Sequence, residues 1–238
     1  MTEAEGGGER LAKRLAQELP CSRSEAERYI EGGWVQVDGQ TVETPGAHVG
    51  ATQSVVLLPG ARAIDIPPAT LLLHQGAGCL DAAALLLPAH FASEVGGPPQ
   101  RILQKHLRHQ QSVAPLPAGA SGLVVFTQEA RIARRLREDL LEHECIAHVK
   151  GMVSDAAVQR LCHGLALDGC ALPAIKVSRQ SEQHLRFALK GIAPAQVGAM
   201  CAAVGLRLAG LRRLRIGRIA LAGLPEGHWR FLQGWERF

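Results

Sequence analysis

Residues 114–127, Ala114-Pro115-Leu116-Pro117-Ala118-Gly119-Ala120-Ser121-Gly122-Leu123-Val124-Val125-Phe126-Thr127, set a small uncharged loop directly before an apolar, β-branched run. A run of that kind reads as a buried strand, and the Gly/Ala/Pro stretch ahead of it as the exposed turn through which the chain enters. In a protein that mixes helices and strands, such a junction is a usual place for an active-site residue. This one holds no acid, no base and no strong nucleophile. Ser121 is its only hydroxyl apart from Thr127 at the far end, and no His or Asp lies within several residues of it.

With 238 residues the chain exceeds one typical domain of about 100–200 residues and has room for two, or for one with an appendage. Hydrophobic residues make up 47% and charged residues 20%, a globular balance rather than a disordered one. The six cysteines, Cys21, Cys79, Cys145, Cys162, Cys170 and Cys201, are scattered, with no CxxC pair and no secretory leader pattern ahead of them. That usage predicts reduced, mostly buried thiols in a cytoplasmic protein. No run approaches the roughly 18 apolar residues of a membrane span. The longest apolar patch, residues 82–87, reads as a buried helix or strand end. The formal net charge of +4 conceals a split: residues 1–60 hold five Lys/Arg against nine Asp/Glu, and residues 61–238 hold 21 against 13. A basic body suits a polyanion such as RNA, although an excess of this size also occurs on solvated surfaces.

Residues 1–8 are acidic and glycine-rich and read as a disordered tail. From there Leu11, Leu15 and Leu19 recur four apart with Arg10, Lys13 and Arg14 among them, a short amphipathic helix with a basic face. Ser22 and Glu25 have capping-box spacing ahead of a second helix that carries Arg23 and Arg28 and ends at Gly32-Gly33. Residues 34–42 alternate apolar and polar about Asp38-Gly39, a hairpin signature, and residues 55–58 add a strand. In that order these elements resemble the S4 RNA-binding domain over residues 9–60, with Leu15, Ala16, residues 22–26 and Ile30 where the family has its helical core and turn. The resemblance implies that Arg10, Lys13, Arg14, Arg23 and Arg28 grip the phosphates of a structured RNA, contacts that position a protein without reading sequence.

Residues 61–68 form a proline-containing linker, and residues 69–238 the second domain. Residues 70–73 read as a strand, followed by His74-Gln75-Gly76-Ala77-Gly78, a loop without the Lys-Ser/Thr ending of a phosphate-binding loop. Residues 101–109 are amphipathic and basic. Helices are predicted over 130–142, 156–163 and 193–204, strands over 146–153 and 185–189, and a strand pair over 165–177 about Asp168-Gly169. Residues 211–221 form a basic strand with Arg212, Arg213, Arg215 and Arg218. Strands outnumber helices and come mostly in antiparallel pairs, which predicts an α+β body with a mixed sheet.

This order resembles the S4-bearing pseudouridine synthases that act on ribosomal RNA, over nearly the whole chain. Asp168-Gly169, Pro173-Ala174 and Val177 match one stretch of that family; Arg213, Ile216-Gly217, Leu221, Leu224-Pro225, Gly227 and Trp229-Arg230 match its C-terminal signature. The loop at 74–78 falls where the family has Asn-Lys-Pro-x-Gly. The implied architecture is α+β: an N-terminal S4 (alpha-L) domain followed by a mixed, largely antiparallel-sheet pseudouridine synthase domain. Such enzymes break the uracil–ribose bond and re-form it at carbon, which calls for a carboxylate at the ribose, a flipped-out base held by stacking, and cations on the backbone. The family carries its carboxylate in Gly-Arg-Leu-Asp-x-x-Ser/Thr-x-Gly-Leu. Aligned on Gly122-Leu123, Pro117 stands at the Asp, Pro115 at the Arg and Ala114 at the first Gly. The family's stacking tyrosine comes from Lys-x-Tyr-x-Val, which here reads Cys145-Ile146-Ala147-His148-Val149, and the only tyrosine of the chain, Tyr29, lies in the S4 part. Asn-Arg-Gln-x-Arg-Arg-Met reads Pro194-Ala195-Gln196-Val197-Gly198-Ala199-Met200, keeping Gln196 and Met200 and none of the arginines.

Three separate motifs thus lose the reacting group and keep the apolar scaffold. The chain reads as an RNA-binding pseudoenzyme for ribosomal or other structured RNA, with no catalytic residue to name, no cofactor, no metal and no membrane partner. Its RNA-binding cations are the five of the S4 helices together with Arg212, Arg213, Arg215 and Arg218. For that last strip a solvated edge strand protected by charge is the alternative. Two further readings stay open: an active synthase whose acid comes from elsewhere, such as Asp81 or Asp155, and a protein-interaction module with the smoothed pocket as docking surface. Local clusters add no chemistry. Cys145 and His148 of the group His143, Cys145, His148 point to opposite faces of a strand, Cys162-His163 are only neighbours in sequence, and Asp168 suits a turn for backbone reasons.

Overall fold

The computed structural model describes residues 8–93, 101–138, 140–163, 165–167 and 169–238, so the expectations for residues 1–7 and for Asp168 lie outside the described residues. The chain divides into two compact units, Met1–Pro68 with Arg101–His109, and Ala69–Gln100 with Gln110–Phe238.

The first unit contains β1 (Glu9–Arg10), α1 (Leu11–Glu18), α2 (Arg23–Glu31), β2 (Val35–Val37), β3 (Gln40–Thr41), β4 (His48–Val49), β5 (Val55–Leu57) and the single turn α3 (Gln104–Leu107). Ser22 starts α2 as its spacing demands. Its Oγ accepts the Glu25 N–H at 3.2 Å, and its own N–H donates to the Glu25 carboxylate at 2.8 Å. Asp38 (φ 49°) and Gly39 (φ 80°) both turn left-handed between β2 and β3, as a two-residue hairpin requires. Leu11, Leu15, Ala26, Ile30, Val35 and Val49 close the core beneath. Residues 101–109, expected in the second domain, belong to this unit. The Lys105 ammonium pairs with Glu31 at 2.7 Å, Arg101 donates to the Gly33 carbonyl, and its guanidinium lies 4.9 Å above the Trp34 ring. Their partners stand some seventy positions earlier in the chain, beyond the reach of local pattern.

The second unit contains β6 (Thr70–Gln75), β7 (Gln111–Val113), β8 (Ser121–Thr127), α4 (Ala130–Glu138), β9 (His143–Lys150), α5 (Asp155–Cys162), β10 (Ala166–Leu167), β11 (Cys170–Ala171), β12 (Lys176–Arg179), β13 (His184–Leu189), α6 (Val197–Ala203), β14 (Arg207–Ile216), β15 (Ile219–Ala220) and β16 (Trp229–Phe231). One sheet runs in the order β12-β13-β9-β14-β8-β6-β16, with β7 added to β8 and β15 to β14. Its one parallel pair is β14 with β8; the other pairings are antiparallel, so the sheet is mixed. The basic strand β14 lies between β9 and β8, which removes the edge-strand alternative. On β9, Cys145, Ala147 and Val149 are fully buried with Leu185 and Phe187 of β13, under Leu161 of α5 and Val197 and Met200 of α6. Ala133 and Leu136 of α4 pack with Leu72, Leu123 and Val125 on the β6–β8 part.

Two local expectations are corrected. Residues 82–87 hold a 3-10 turn (Ala83–Leu85), and of the six Leu86 alone is buried, because three alanines and three leucines stopped by Pro88 are too few to sustain a helix. Of the cysteines only Cys145 and Cys201 are buried, and Cys170 is exposed. Among the described residues no helix is long and apolar enough to cross a membrane.

Candidate functional site

Strand β8 enters the sheet beside β14, Gly122 opposite Arg213. Gly122 has φ +112°, and a Cβ there would stand 2.1 Å from the Arg213 carbonyl oxygen, so only glycine lets the two backbones meet. Arg213 is fully buried. Its Nε donates to the Leu123 carbonyl at 2.8 Å, its Nη2 to the Ala114 carbonyl at 2.6 Å, and its Nη1 faces His143 Nδ1 at 3.5 Å. One guanidinium therefore links the start of the 114–120 loop to strand β8, which the loop enters. No carboxylate among the described residues pairs with it, and burial pulls its pKa down to about 10. Burial, reinforced by the Arg213 charge, pushes His143 down to about 4, so the imidazole beside the guanidinium is neutral. Burial pushes the Cys145 thiol up to about 12, which leaves no thiolate to act as nucleophile or metal ligand.

Inside this frame the space is apolar. Ala120 and Ala147 are buried in one cluster with Leu211, Val197 and Met200, and Leu116 packs against it. Gln196 accepts the Ala193 N–H at 3.0 Å and so caps the turn ahead of α6. The two acids named as substitutes are both engaged at the surface. Asp81 is exposed and accepts the Ala83 N–H at 2.9 Å. Asp155 is 95% exposed, pairs with Arg179 at 3.4 Å, and starts the helix that packs on β12, with β13, β9 and β14 standing between that strand and β8.

Residues 9–55 match the family model of the S4 domain. The chain is 26% identical over 228 residues to the dual-specificity RNA pseudouridine synthase RluF of Shigella flexneri, a match that covers 94% of this chain and 75% of that protein. It is 28% identical over 237 residues to the ribosomal large subunit pseudouridine synthase B of Yersinia pestis, covering 93% and 72%. A solved pseudouridylate synthase shares the fold, with a TM-score of 0.59 at 19% identity over 94% of this chain and 96% of that one. The chain is a homologue of the S4-bearing pseudouridine synthases. The expected architecture, α+β with an N-terminal S4 domain ahead of a mixed-sheet synthase domain, is the one observed.

The cations assigned to RNA in this synthase homologue fall into two groups. Arg10, Arg212 and Arg218 are exposed. Lys13 pairs with Glu9 (2.8 Å), Arg23 with Glu27 (3.3 Å) and Arg28 with Asp65 (2.8 Å), all at the surface, where such pairs are worth a few tenths to about 1 kcal/mol and yield readily to a phosphate. The others are structural. Arg14 donates to the carbonyls of Gly50 and Gln53 at 2.7 and 2.8 Å and pairs with Glu18. Arg213 cannot reach a phosphate at all, because the pleat turns it to the buried face of β14, opposite Cys145. Arg215 is held by Glu144 at 2.9 Å and Glu142 at 2.6 Å. Glu144, which the sequence pattern did not single out, also holds Arg186 at 2.7 Å. Burial works to raise its pKa, but the hydrogen bonds from Arg186 and Arg215 prevail and hold it below the ordinary carboxylate range.

Proposed function

We propose that this synthase homologue binds structured RNA in the cytoplasm, with ribosomal RNA the class its relatives act on, and does not isomerise uridine. What supports the reading above all is the packing of Leu116, Ala120 and Ala147 into one apolar cluster, where the resemblance calls for a carboxylate at Pro117 and a stacking ring at Ala147. Proline neither attacks a ribose carbon nor takes a proton, and an alanine methyl does not hold a flipped base. The loss of even one catalytic group costs an enzyme several orders of magnitude in rate. Neither Asp81, bound to its own turn, nor Asp155, beside the edge strand β12, lies on the 114–120 loop.

The test is incubation of the full chain with protein-free ribosomal RNA, followed by mapping of pseudouridine at single-nucleotide resolution. The expected outcome is stable, salt-sensitive RNA binding with no new pseudouridine; one stoichiometric new site sinks the inactive reading.

A further inference from the structure

We propose that the open face of β12, β13, β9 and β14, on the side of the sheet away from Ala147, is a second RNA-docking surface that takes the phosphate backbone independently of the S4 unit. The helices α5 and α6 pack on the other side, where Leu161, Val197 and Met200 join Ala147 in the core. The alternation on β9 follows: Cys145, Ala147 and Val149 are buried, whereas Ile146 and His148 are half-exposed and Lys150 is exposed.

Strand register arranges the open side in rows. Lys150 stands opposite Arg207. The next row is His184, His148 and Gly210, and the one after it Ser178, Arg186, Ile146 and Arg212. Lys176, Ala188, Glu144 and Arg215 complete the set. Six cations share these rows with a single carboxylate, Glu144, and that one is already satisfied by Arg186 and Arg215. Lys150, Lys176, Arg207 and Arg212 are exposed and pair with no carboxylate among the described residues. Rows lie about 6.7 Å apart along a strand, and neighbouring strands about 4.8 Å apart, a grid of positive charge over a flat surface. Within it the His148 and His184 rings stack at 4.9 Å and 13°, flat rings of the kind on which unpaired bases rest. An evenly mixed surface would serve solubility alone; a grid whose acids, Glu144 within its rows and Glu142 at Arg215, are already paired, and which leaves four exposed cations over, selects a polyanion.

This rests on the RNA-binding reading above, and the experiment separates the two. Binding of the full chain to a fluorescent transcript of a large-subunit ribosomal RNA domain is measured by anisotropy from about 50 to about 300 mM KCl. Three proteins are compared: wild type, a sheet variant (Lys150→Gln, Lys176→Gln, Arg207→Gln, Arg212→Gln) and an S4 variant (Arg10→Gln, Lys13→Gln, Arg23→Gln). The sheet variant is expected to lose at least about tenfold in affinity at 150 mM KCl and to lower the salt slope by about three, close to one per phosphate contact removed. If it binds as wild type does while the S4 variant fails, the sheet surface is refuted and the RNA reading stands. If wild type itself does not bind, both fall. A poly-glutamate chain captured by wild type but not by the sheet variant then assigns the face to an acidic protein partner.

Discussion

The two sides of β9 and its neighbours differ in almost every respect. Cys145, Ala147 and Val149 on one side are sealed under α5 and α6 in an apolar cluster, with the buried Arg213 opposite Cys145 and Arg179 at the outer end of the Ala147 row. Ile146, His148 and Lys150 on the other side look out among Arg186, Arg207 and Arg212. The buried side retains what backbone geometry requires, Gly122 against Arg213 and the guanidinium that ties the loop, while the positions where the resemblance calls for reacting groups carry Pro117 and Ala147. The open side retains charge that the fold does not need. Packing therefore explains one side and leaves the other to solubility or a partner.

The most damaging way to attack the buried side is Gly122→Ala. The added Cβ would stand 2.1 Å from the Arg213 carbonyl oxygen in a backbone of φ +112°, so the parallel β8–β14 pair must open as well as strain. Urea denaturation is expected to show a loss above about 4 kcal/mol, in the range reserved for disrupted backbone packing. A loss below about 1 kcal/mol would mean that the close approach is not what keeps this glycine.

Acid attacks the same side next. His143 has a folded pKa of about 4 against an ordinary 6.5, so between those values the unfolded chain takes up a proton that the folded chain refuses. Its contribution is complete above pH 6.5 and lost as pH falls toward 4, amounting to about 3.5 kcal/mol at about 1.4 kcal/mol per unit. Urea midpoints measured across that window should fall with pH in wild type and flatten in His143→Asn. An equal slope in both proteins would place the proton elsewhere.

A matched pair sets the sides directly against each other. Ala147→Tyr forces a ring into a fully buried position between Leu185 and Leu211 and should cost about 2 kcal/mol or more by thermal melting. Ile146→Tyr places the same ring one residue away on the open side and should stay within about 0.5 kcal/mol of wild type. Equal costs would show that the space at residue 147 is not filled.

Much of this was legible in the sequence because it is written in local pattern. The capping box at Ser22 and Glu25, the Asp38-Gly39 hairpin and the apolar run of β8 each depend on residues a few positions apart, and each formed as read. That Pro117 and Ala147 stand where the resemblance calls for a carboxylate and a tyrosine is likewise a statement about side-chain identity. What stayed hidden depends on partners far along the chain. Nothing near Arg101 announces Gly33 and Trp34, and nothing near Arg213 announces that the loop carbonyl at Ala114, 99 positions away, claims its guanidinium. A row of arginines on one strand reads as a basic strip until the pleat and the two bulges of β14 send Arg213 inward and turn Arg215 toward Glu144.

The smallest expected effect is on the open side and concerns stability alone. Lys150, Lys176, Arg207 and Arg212 make no ion pair among the described residues, and each is exposed. Replacing all four with glutamine removes no packing and relieves repulsion between like charges on adjacent strands, which are unfavourable when directly opposed, as Lys150 and Arg207 are. The unfolding free energy should therefore move by no more than about 0.5 kcal/mol, and upward, with the gain shrinking as salt screens the charges. A melt recorded at low and high ionic strength checks this. A loss of several kcal/mol would mean that these side chains hold the sheet together, which would erase the difference between its two sides.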